Sequence, residues 1–149
     1  MKIVMGSDHA AYDLRIKLVE RLRADGYEIV DLGTDSPEST DYPIWGAKVG
    51  NAVVSGEGEL GIAICGSGVG ISIAANKVKG VRAACVSETY SAAMSRKHNN
   101  ANVLCFGARV VGDDVAYEIC LAFLEAQFEG DRHARRVGQL IDLDESLHC

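Results

Sequence analysis

The amino-acid sequence predicts an α/β fold of the three-layer Rossmann-like (flavodoxin-like) type, with a five-stranded parallel sheet and helices on both faces. Short apolar runs alternate along the chain with longer segments of helical periodicity, a pattern typical of β-α-β units. The apolar runs are nearly continuous, as expected for strands that are covered on both sides. The chain has 149 residues, a usual length for one domain. We therefore expect residues 1–149 to form a single domain.

The predicted elements follow one another in a regular order. A strand over 3–7 precedes a helix over 10–25, which ends before Gly26 and carries Arg15 on its solvent side. Asp113 is the expected N-cap of a later helix, 113–127. The other expected strands are 27–32, 60–65, 81–86 and 103–107, and the other expected helices are 42–55, 69–78, 89–97 and 131–146.

Composition and charge exclude several classes of partner. Lys and Arg number 15 and Asp and Glu number 21, so the formal net charge is -6. We expect neither nucleic acid nor an anionic membrane surface as a partner, because both need a basic face. No apolar run approaches the ~18 residues of a membrane span, and only five residues precede the polar Gly6-Ser7-Asp8 segment, too few for a signal peptide. A cytoplasmic location is expected.

The five cysteines form no C-x-x-C pair, and their spacing predicts neither a disulfide framework nor a structural zinc site. Cys85 and Cys105 lie in strand-like runs and Cys120 lies on a helical apolar stripe, so all three are expected in the core. Cys149 lies in the tail without informative neighbours. Cys65 differs because a glycine-rich turn follows it directly.

That turn, Cys65-Gly66-Ser67-Gly68-Val69-Gly70, joins a predicted strand to a predicted helix. Glycines permit close backbone approach, and helix N-termini present N–H groups to anions, so the segment predicts an anion cradle. The alternative is a tight turn without a ligand. The dinucleotide fingerprint is not met because Ile71 replaces its third glycine, and the Gly-Lys-Ser/Thr of a P-loop is absent. A thiol at a helix N-terminus is a usable base or nucleophile, although a buried inert thiol remains the alternative.

Other polar groups add to this pattern. Asp8 and His9 follow the first strand, where Asp8 is also a candidate helix cap. Arg132 and Arg136 lie one helical turn apart, suited to gripping a phosphate or, alternatively, forming a solvated basic surface. His98 alone is uninformative. A cysteine base, histidines, an anion cradle and an arginine pair together fit proton transfer on a small phosphorylated substrate.

The sequence also resembles a known family. The resemblance extends over nearly the whole chain, and its Cys-Gly-Ser-Gly-Val-Gly block is highly specific. The segments that carry it are 6–10 (GSDHA), 40–43 (TDYP), 64–77 (ICGSGVGISIAANK), 95–99 (SRKHN) and 107–112 (GARVVG). They are similar to those of the type B ribose-5-phosphate isomerases, a group that extends to galactose-6-phosphate and allose-6-phosphate isomerases.

The resemblance implies an aldose–ketose isomerase that interconverts D-ribose 5-phosphate and D-ribulose 5-phosphate through a cis-enediolate, without a metal or other cofactor. Cys65 matches the base that moves the proton between C2 and C1. Ser67 matches the hydroxyl that assists proton transfer at the sugar oxygens, in a position where other members carry Thr. The residues that match the enediolate anion hole are Gly66, Gly68, Val69 and Gly70.

By the same resemblance, His98 matches the acid–base group that opens the furanose ring. Family members are homodimers or tetramers whose active site is shared between two subunits. The residues that match sugar contacts are Asp41, Tyr42 and Asn99, and those that match other substrate contacts, mostly toward the phosphate, are Asp8, His9, Arg109, Arg132 and Arg136.

Two alternatives stay open. The first is an isomerase of the same group that acts on a hexose 6-phosphate such as allose 6-phosphate. The second is a non-catalytic module that binds sugar phosphates, which would have no need of Cys65, Ser67 and His98 together.

Overall fold

A computed structural model of the chain describes residues 1–147, so Cys149 lies outside the described residues. All five strands pair in parallel, in the order β2-β1-β3-β5-β4. The expected three-layer α/β fold is confirmed. The strands are Lys2–Ser7 (β1), Glu28–Asp31 (β2), Leu60–Cys65 (β3), Ala83–Cys85 (β4) and Val103–Gly107 (β5).

Residues 1–147 form six α-helices. They are Tyr12–Ala24 (α1), Tyr42–Val54 (α2), Val69–Asn76 (α3), Thr89–Asn99 (α4), Asp113–Glu125 (α5) and Asp131–Leu147 (α6). Helices α1 to α5 cover the two faces of the sheet, and α6 packs against α4. Apolar side chains of α1, α4 and α5 pack on one face with Ile62 and Ile64, and those of α2 and α3 pack on the other with Ala63 and Cys65. Residues along β3 thus alternate between two separate cores, as the two-residue period of a strand requires.

Two helix starts differ from the prediction. Residues His9–Ala11 form a 3₁₀ turn before α1, and the Asp8 carboxylate caps it by accepting the Ala10 N–H at 3.0 Å. The prediction that Asp113 caps α5 is wrong, because the N-cap is Gly112 and Asp113 is the first helical residue. The Asp113 carboxylate instead accepts a hydrogen bond from the Lys17 ammonium at 2.7 Å, while its charge still favours the positive end of the helix.

Arg15 is buried rather than solvated, with only 2% of its side chain exposed. Its Nε donates to the Ser7 hydroxyl at 2.9 Å, and its other nitrogens donate to the Asp31 carboxylate and the Thr34 carbonyl. The prediction of a solvent-facing Arg15 is wrong because these acceptors, which lie at the end of β1 and at or just after the end of β2, replace its hydration.

Cys105 and Cys120 are buried as predicted, and burial raises the pKa of both thiols. Cys85 is exposed, so its assignment to the core is wrong. It ends β4, which has three residues and lies at the edge of the sheet because β5 is inserted between β3 and β4. Within residues 1–147, no strand pairs with the outer side of β4.

The direction of the helices decides where the functional residues lie. Parallel strands place all their carboxyl ends at one edge of the sheet, and each connecting helix runs back to the opposite edge. The end of α4 accordingly lies at the amino edge, where the Arg82 guanidinium, just before β4, donates to the Asn100 carbonyl at 2.9 Å. No helix within residues 1–147 is long and apolar enough to cross a membrane.

Candidate active site

The glycine turn lies at the carboxyl end of the central strand β3. Cys65 ends the strand with 4% of its surface exposed, and its Sγ accepts a hydrogen bond from the Gly68 N–H at 3.1 Å. An N–H directed at the sulfur, next to the first turn of α3, stabilises negative charge on that atom. The geometry therefore suits a thiolate base.

Close packing explains the glycines of this turn. Gly68 has a φ of +80°, and a Cβ there would lie 2.6 Å from the carbonyl carbon of Phe106 on the neighbouring strand. The turn is also tied to the segment after β5, since the Ala108 N–H donates to the Cys65 carbonyl at 2.9 Å and the Arg109 N–H donates to the Gly66 carbonyl at 3.0 Å. Backbone from two strands thus holds the turn in one shape.

Three side chains line the turn. The exposed Ser67 accepts the Val69 N–H through its Oγ at 3.2 Å, which leaves the hydroxyl proton available to donate. A Cβ on Gly66 would lie 3.2 Å from the Arg109 guanidinium, and a Cβ on Gly70 would lie 2.7 Å from the Tyr42 ring. Arg109 and Tyr42 therefore pack closely against the first and last glycines of the turn.

Asp8 and His9 approach from the end of β1, beside β3. The Asp8 N–H donates to the Ile64 carbonyl at 3.2 Å, which fixes the segment against β3. His9 Nδ1 lies 3.1 Å from the Thr40 nitrogen, whose N–H can only donate. The same Nδ1 lies 3.2 Å from the Thr40 carbonyl oxygen, so the Thr40 backbone fixes the position of the His9 ring whichever ring nitrogen carries the proton.

We name these residues the carboxyl-edge cluster. Its position at β1 and β3 is the switch point of the sheet, where ligands bind in open α/β folds. The structure brings together Asp8, His9, Asp41, Tyr42, Cys65, Gly66, Ser67, Gly68, Val69, Gly70 and Arg109.

The remaining expected residues, His98, Asn99, Arg132 and Arg136, lie at the amino edge of the sheet. His98 stacks face to face on His133 of α6, with ring centroids 4.2 Å apart and planes 6° from parallel. The Glu129 Oε2 lies 3.7 Å from His98 Nε2 and 3.8 Å from His133 Nε2. We name these six residues the amino-edge cluster: His98, Asn99, Glu129, Arg132, His133 and Arg136. Burial lowers the pKa of His133, and the neighbouring His98, Arg132 and Arg136 lower it further.

No hydrogen bond, ion pair or ring contact within residues 1–147 joins the two clusters. The 11 residues of α4 extend over about 16 Å at 1.5 Å per residue. Cys65 and His98 therefore lie at opposite edges of the sheet, and one chain does not bring the expected base and the expected ring-opening group together.

Sequence reasoning missed Glu129, His133 and Thr40. His133 lies inside the basic segment that contains Arg132 and Arg136, but its role depends on contact with α4. Neither spacing nor periodicity indicates that His98 of α4 contacts His133 of α6, because the two histidines are far apart along the chain.

Comparison with known proteins agrees with this geometry. A family profile described as Ribose/Galactose Isomerase matches residues 3–140. Ribose-5-phosphate isomerase B of Escherichia coli is 50% identical over 144 residues, which cover 97% of each chain. D-erythrulose-4-phosphate isomerase of Pectobacterium atrosepticum is 40% identical over 94% of this chain and 93% of its own.

A solved structure of Clostridium thermocellum ribose-5-phosphate isomerase B superposes with a TM-score of 0.97 and 52% identity, covering 99% of each chain. The match therefore includes both edges of the sheet and every element that carries a candidate site residue. The chain belongs to the ribose/galactose isomerase family.

Proposed function

We propose that the chain interconverts D-ribose 5-phosphate and D-ribulose 5-phosphate, with Cys65 as the base. The observation that carries this proposal is the buried Cys65 thiol, which receives the Gly68 N–H at 3.1 Å at the head of the glycine turn. A base beside an anion cradle is what removal of a proton next to a carbonyl requires. The 50% identity to the E. coli ribose-5-phosphate isomerase B supports the pentose substrate.

In this mechanism the Cys65 thiolate removes the C2 proton of the open-chain aldose. The electron pair of the C2–H bond forms the C1–C2 double bond, and the carbonyl electrons move to O1 as the enediolate. The resulting thiol returns the proton to C1, the O2 electrons form the ketone, and the O2 proton passes to O1 with the help of the Ser67 hydroxyl. The Gly68 N–H already donates to Cys65 Sγ and the Val69 N–H to Ser67 Oγ. The oxyanion is therefore stabilised by the other backbone N–H groups of the turn, those of Gly66, Ser67 and Gly70, at the positive end of α3.

We also propose that two copies of the chain build each active site. His98 opens the furanose ring, so it has to reach the same sugar as Cys65, yet α4 holds the two groups at opposite edges of one sheet. A homodimer in which the amino-edge cluster of one copy faces the carboxyl-edge cluster of the other removes this conflict. A closed two-fold arrangement then provides two identical sites.

The remaining residues receive roles from this arrangement. His9 and Arg109 of one copy, with Arg132 and Arg136 of the second, surround the phosphate. The sugar is lined by Asp8, Asp41 and Tyr42 of the first copy and by Asn99 of the second. We propose that residues 1–149 act as one domain. We also propose that the protein is located in the cytoplasm, where phosphorylated sugars are held.

The second candidate is an isomerase for another sugar phosphate. The family description includes galactose, and the Pectobacterium relative is described as acting on D-erythrulose 4-phosphate. The substrate length depends on the gap between the glycine turn and the arginines, which only the assembled site defines. A binding module without catalysis is disfavoured because Cys65, Ser67 and His98 are all present.

The decisive assay measures isomerisation of ribose 5-phosphate by the purified protein in the presence of EDTA, with allose 6-phosphate and D-erythrulose 4-phosphate in parallel. We expect the largest kcat/KM for the pentose and no effect of the chelator. A larger kcat/KM for another of these sugars would support the same isomerisation mechanism but identify a different substrate. Absence of turnover on all three sugars by folded protein would contradict the proposal.

A mixing experiment tests the shared site. Cys65→Ala and His98→Asn are each expected to be inactive alone. After unfolding and refolding together in equal amounts, half of the dimers carry one of each chain, and each of these has one site with neither change. About a quarter of the wild-type activity should return in a closed two-fold dimer. No recovery, with dimers present, would contradict the shared site.

A further inference from the structure

Three potential metal ligands meet in the amino-edge cluster. His98 Nε2, His133 Nε2 and a Glu129 carboxylate oxygen all lie within 4.8 Å of one another. They come from the end of α4, the connection between α5 and α6, and the first turn of α6. Backbone hydrogen bonds hold this arrangement, since the Glu129 N–H donates to the Lys97 carbonyl at 3.0 Å and the His133 N–H donates to the Gly130 carbonyl at 2.9 Å.

His133 provides a second, independent observation. The residue is 6% exposed, and its Nε2 is buried without a hydrogen-bond partner. A buried polar nitrogen normally has such a partner, because burial without one costs free energy. The Glu129 Oε2 lies 3.8 Å from this nitrogen, which is too far for a hydrogen bond.

We propose that His98, Glu129 and His133 form a binding site for a transition-metal ion of the Zn²⁺ class. Two imidazoles and one carboxylate are an established zinc donor set, which leaves a fourth position for water. In the single chain the site is open on one side, since 36% of the His98 side chain and 49% of the Glu129 side chain are exposed. In the dimer proposed above, this side faces the carboxyl-edge cluster of the second copy.

Binding requires a rearrangement of the His98 side chain. Ligands about 2.0–2.1 Å from a tetrahedral ion lie about 3.3 Å from each other, so the separations of 3.7 and 3.8 Å to Glu129 contract by a few tenths of an ångström. The lone pairs of the stacked rings run nearly parallel, because the ring planes differ by only 6°. His98 therefore turns about its side-chain bonds so that its nitrogen points at the ion, and the stack opens.

Electrostatics sets the expected affinity. Glu129 contributes one negative charge, whereas Arg132 and Arg136 lie close enough to His133 to act on its charge. The arginines oppose a cation, so we expect micromolar rather than nanomolar binding. The ion would act as an inhibitor, because coordination occupies the Nε2 of His98. This consequence rests on the role proposed for His98, whereas binding of the ion does not.

The first test uses the full chain, stripped with EDTA and freed of the chelator. Titration calorimetry with Zn²⁺ should show one ion per chain. Co²⁺ in its place should give visible ligand-field bands without the near-ultraviolet charge-transfer band of a thiolate, which separates this site from the cysteines. Absence of binding, or a thiolate band from the bound ion, would overturn the proposal.

Two variants locate the ion. Glu129→Gln removes one charged ligand at an exposed position, and His133→Phe keeps a flat ring against His98 but removes the nitrogen. Each should weaken Zn²⁺ binding at least ~10-fold. The matched control combines His148→Asn with Cys149→Ser, which removes a histidine and a thiol outside the described residues and should leave binding unchanged. Unchanged binding in both cluster variants, or loss in the control, would overturn the site.

Activity provides a separate readout. Zn²⁺ should inhibit isomerisation in wild type, EDTA should reverse the inhibition, and Glu129→Gln should shift the inhibition curve to at least ~10-fold higher Zn²⁺. Turnover in EDTA without any Zn²⁺ binding would reject the metal site and leave the proposed function intact. Zn²⁺ binding without turnover on any sugar would reject the proposed function and leave the metal site intact.

Discussion

The two clusters that carry the site residues are built in different ways. At the carboxyl edge, backbone atoms of a buried strand end form the functional surface, and Cys65 is 4% exposed. At the amino edge, the functional groups are side chains on helices, and 36% of the His98 side chain is exposed. The first surface keeps one shape because two strands hold its backbone, whereas the second depends on side-chain stacking and can adjust.

This difference matches the tasks that we propose. An oxyanion is best stabilised by donors already fixed in place, because they need no rearrangement during the reaction. Ring opening and phosphate binding require charged or titratable side chains that reach across to a second copy. Substitutions should therefore affect the two edges unequally, in a way that separate variants can measure.

The largest effect is expected for Cys65→Ala. Removal of the base should lower kcat about 10²–10⁴-fold, while the fold stays intact because only a small thiol is lost. Steady-state kinetics and circular dichroism measure the two quantities. Cys85→Ser is the matched control, since this exposed thiol ends the edge strand, and it should retain activity. Near-wild-type turnover by Cys65→Ala would refute the role of the thiol.

Glycine substitutions compare the two edges directly. Gly68→Ala places a side chain at a φ of +80° and a Cβ 2.6 Å from backbone, so it should lower the free energy of unfolding by about 1–3 kcal/mol. It should also lower kcat about 10²–10³-fold through the displaced N–H groups.

Gly138→Ala is the matched change on α6, where a Cβ meets nothing within 4 Å. It should raise the free energy of unfolding by about 0.5–1 kcal/mol and leave kcat unchanged. Urea denaturation and kinetics measure both. Equal tolerance of the two substitutions would contradict the contrast between a rigid and an adjustable edge.

A smaller effect is expected for Arg136→Ala. The phosphate contact exists in the ground state and in the transition state, so KM should rise about tenfold or more while kcat changes little. Arg135→Ala is the control, because Arg135 is an exposed neighbour without a proposed contact. A large fall in kcat at unchanged KM would show that Arg136 acts on the chemical step instead.

The smallest effect concerns His133 and pH. Its pKa is lowered from 6.5, first by burial and then by neighbouring positive charge, so the unfolded chain binds the proton more tightly. The neutral His133 ring therefore makes its full contribution to the free energy of unfolding above pH 6.5. This contribution is lost as the pH falls from 6.5 toward the pKa of His133 in the folded chain.

Urea denaturation at several pH values should show that His133→Gln has a shallower loss of stability below pH 6.5 than wild type. The same substitution should change little above pH 7.5. A steeper acid dependence in the variant would show that the ring is stabilised in its charged form, against the direction derived from its surroundings.

Local patterns in the sequence predicted the strands, the helices and the glycine turn, because each depends on residues that are close along the chain. The incorrect predictions have tertiary causes. Arg15 is buried because its partners lie at the ends of two strands, and Cys85 is exposed because β5 takes the inner position. Asp113 is satisfied by Lys17 of another helix rather than by its own backbone.

The sequence by itself therefore determined the α/β class, the cradle after β3 and its thiol, since these follow from periodicity and glycine spacing. The tertiary structure decided the strand order, the stack of His98 on His133 and the distance between the two clusters. These depend on contacts between segments far apart along the chain, whose free energy is gained only when the sheet and its helices pack together. The placement of Cys65 and His98 at opposite edges is the result of that packing.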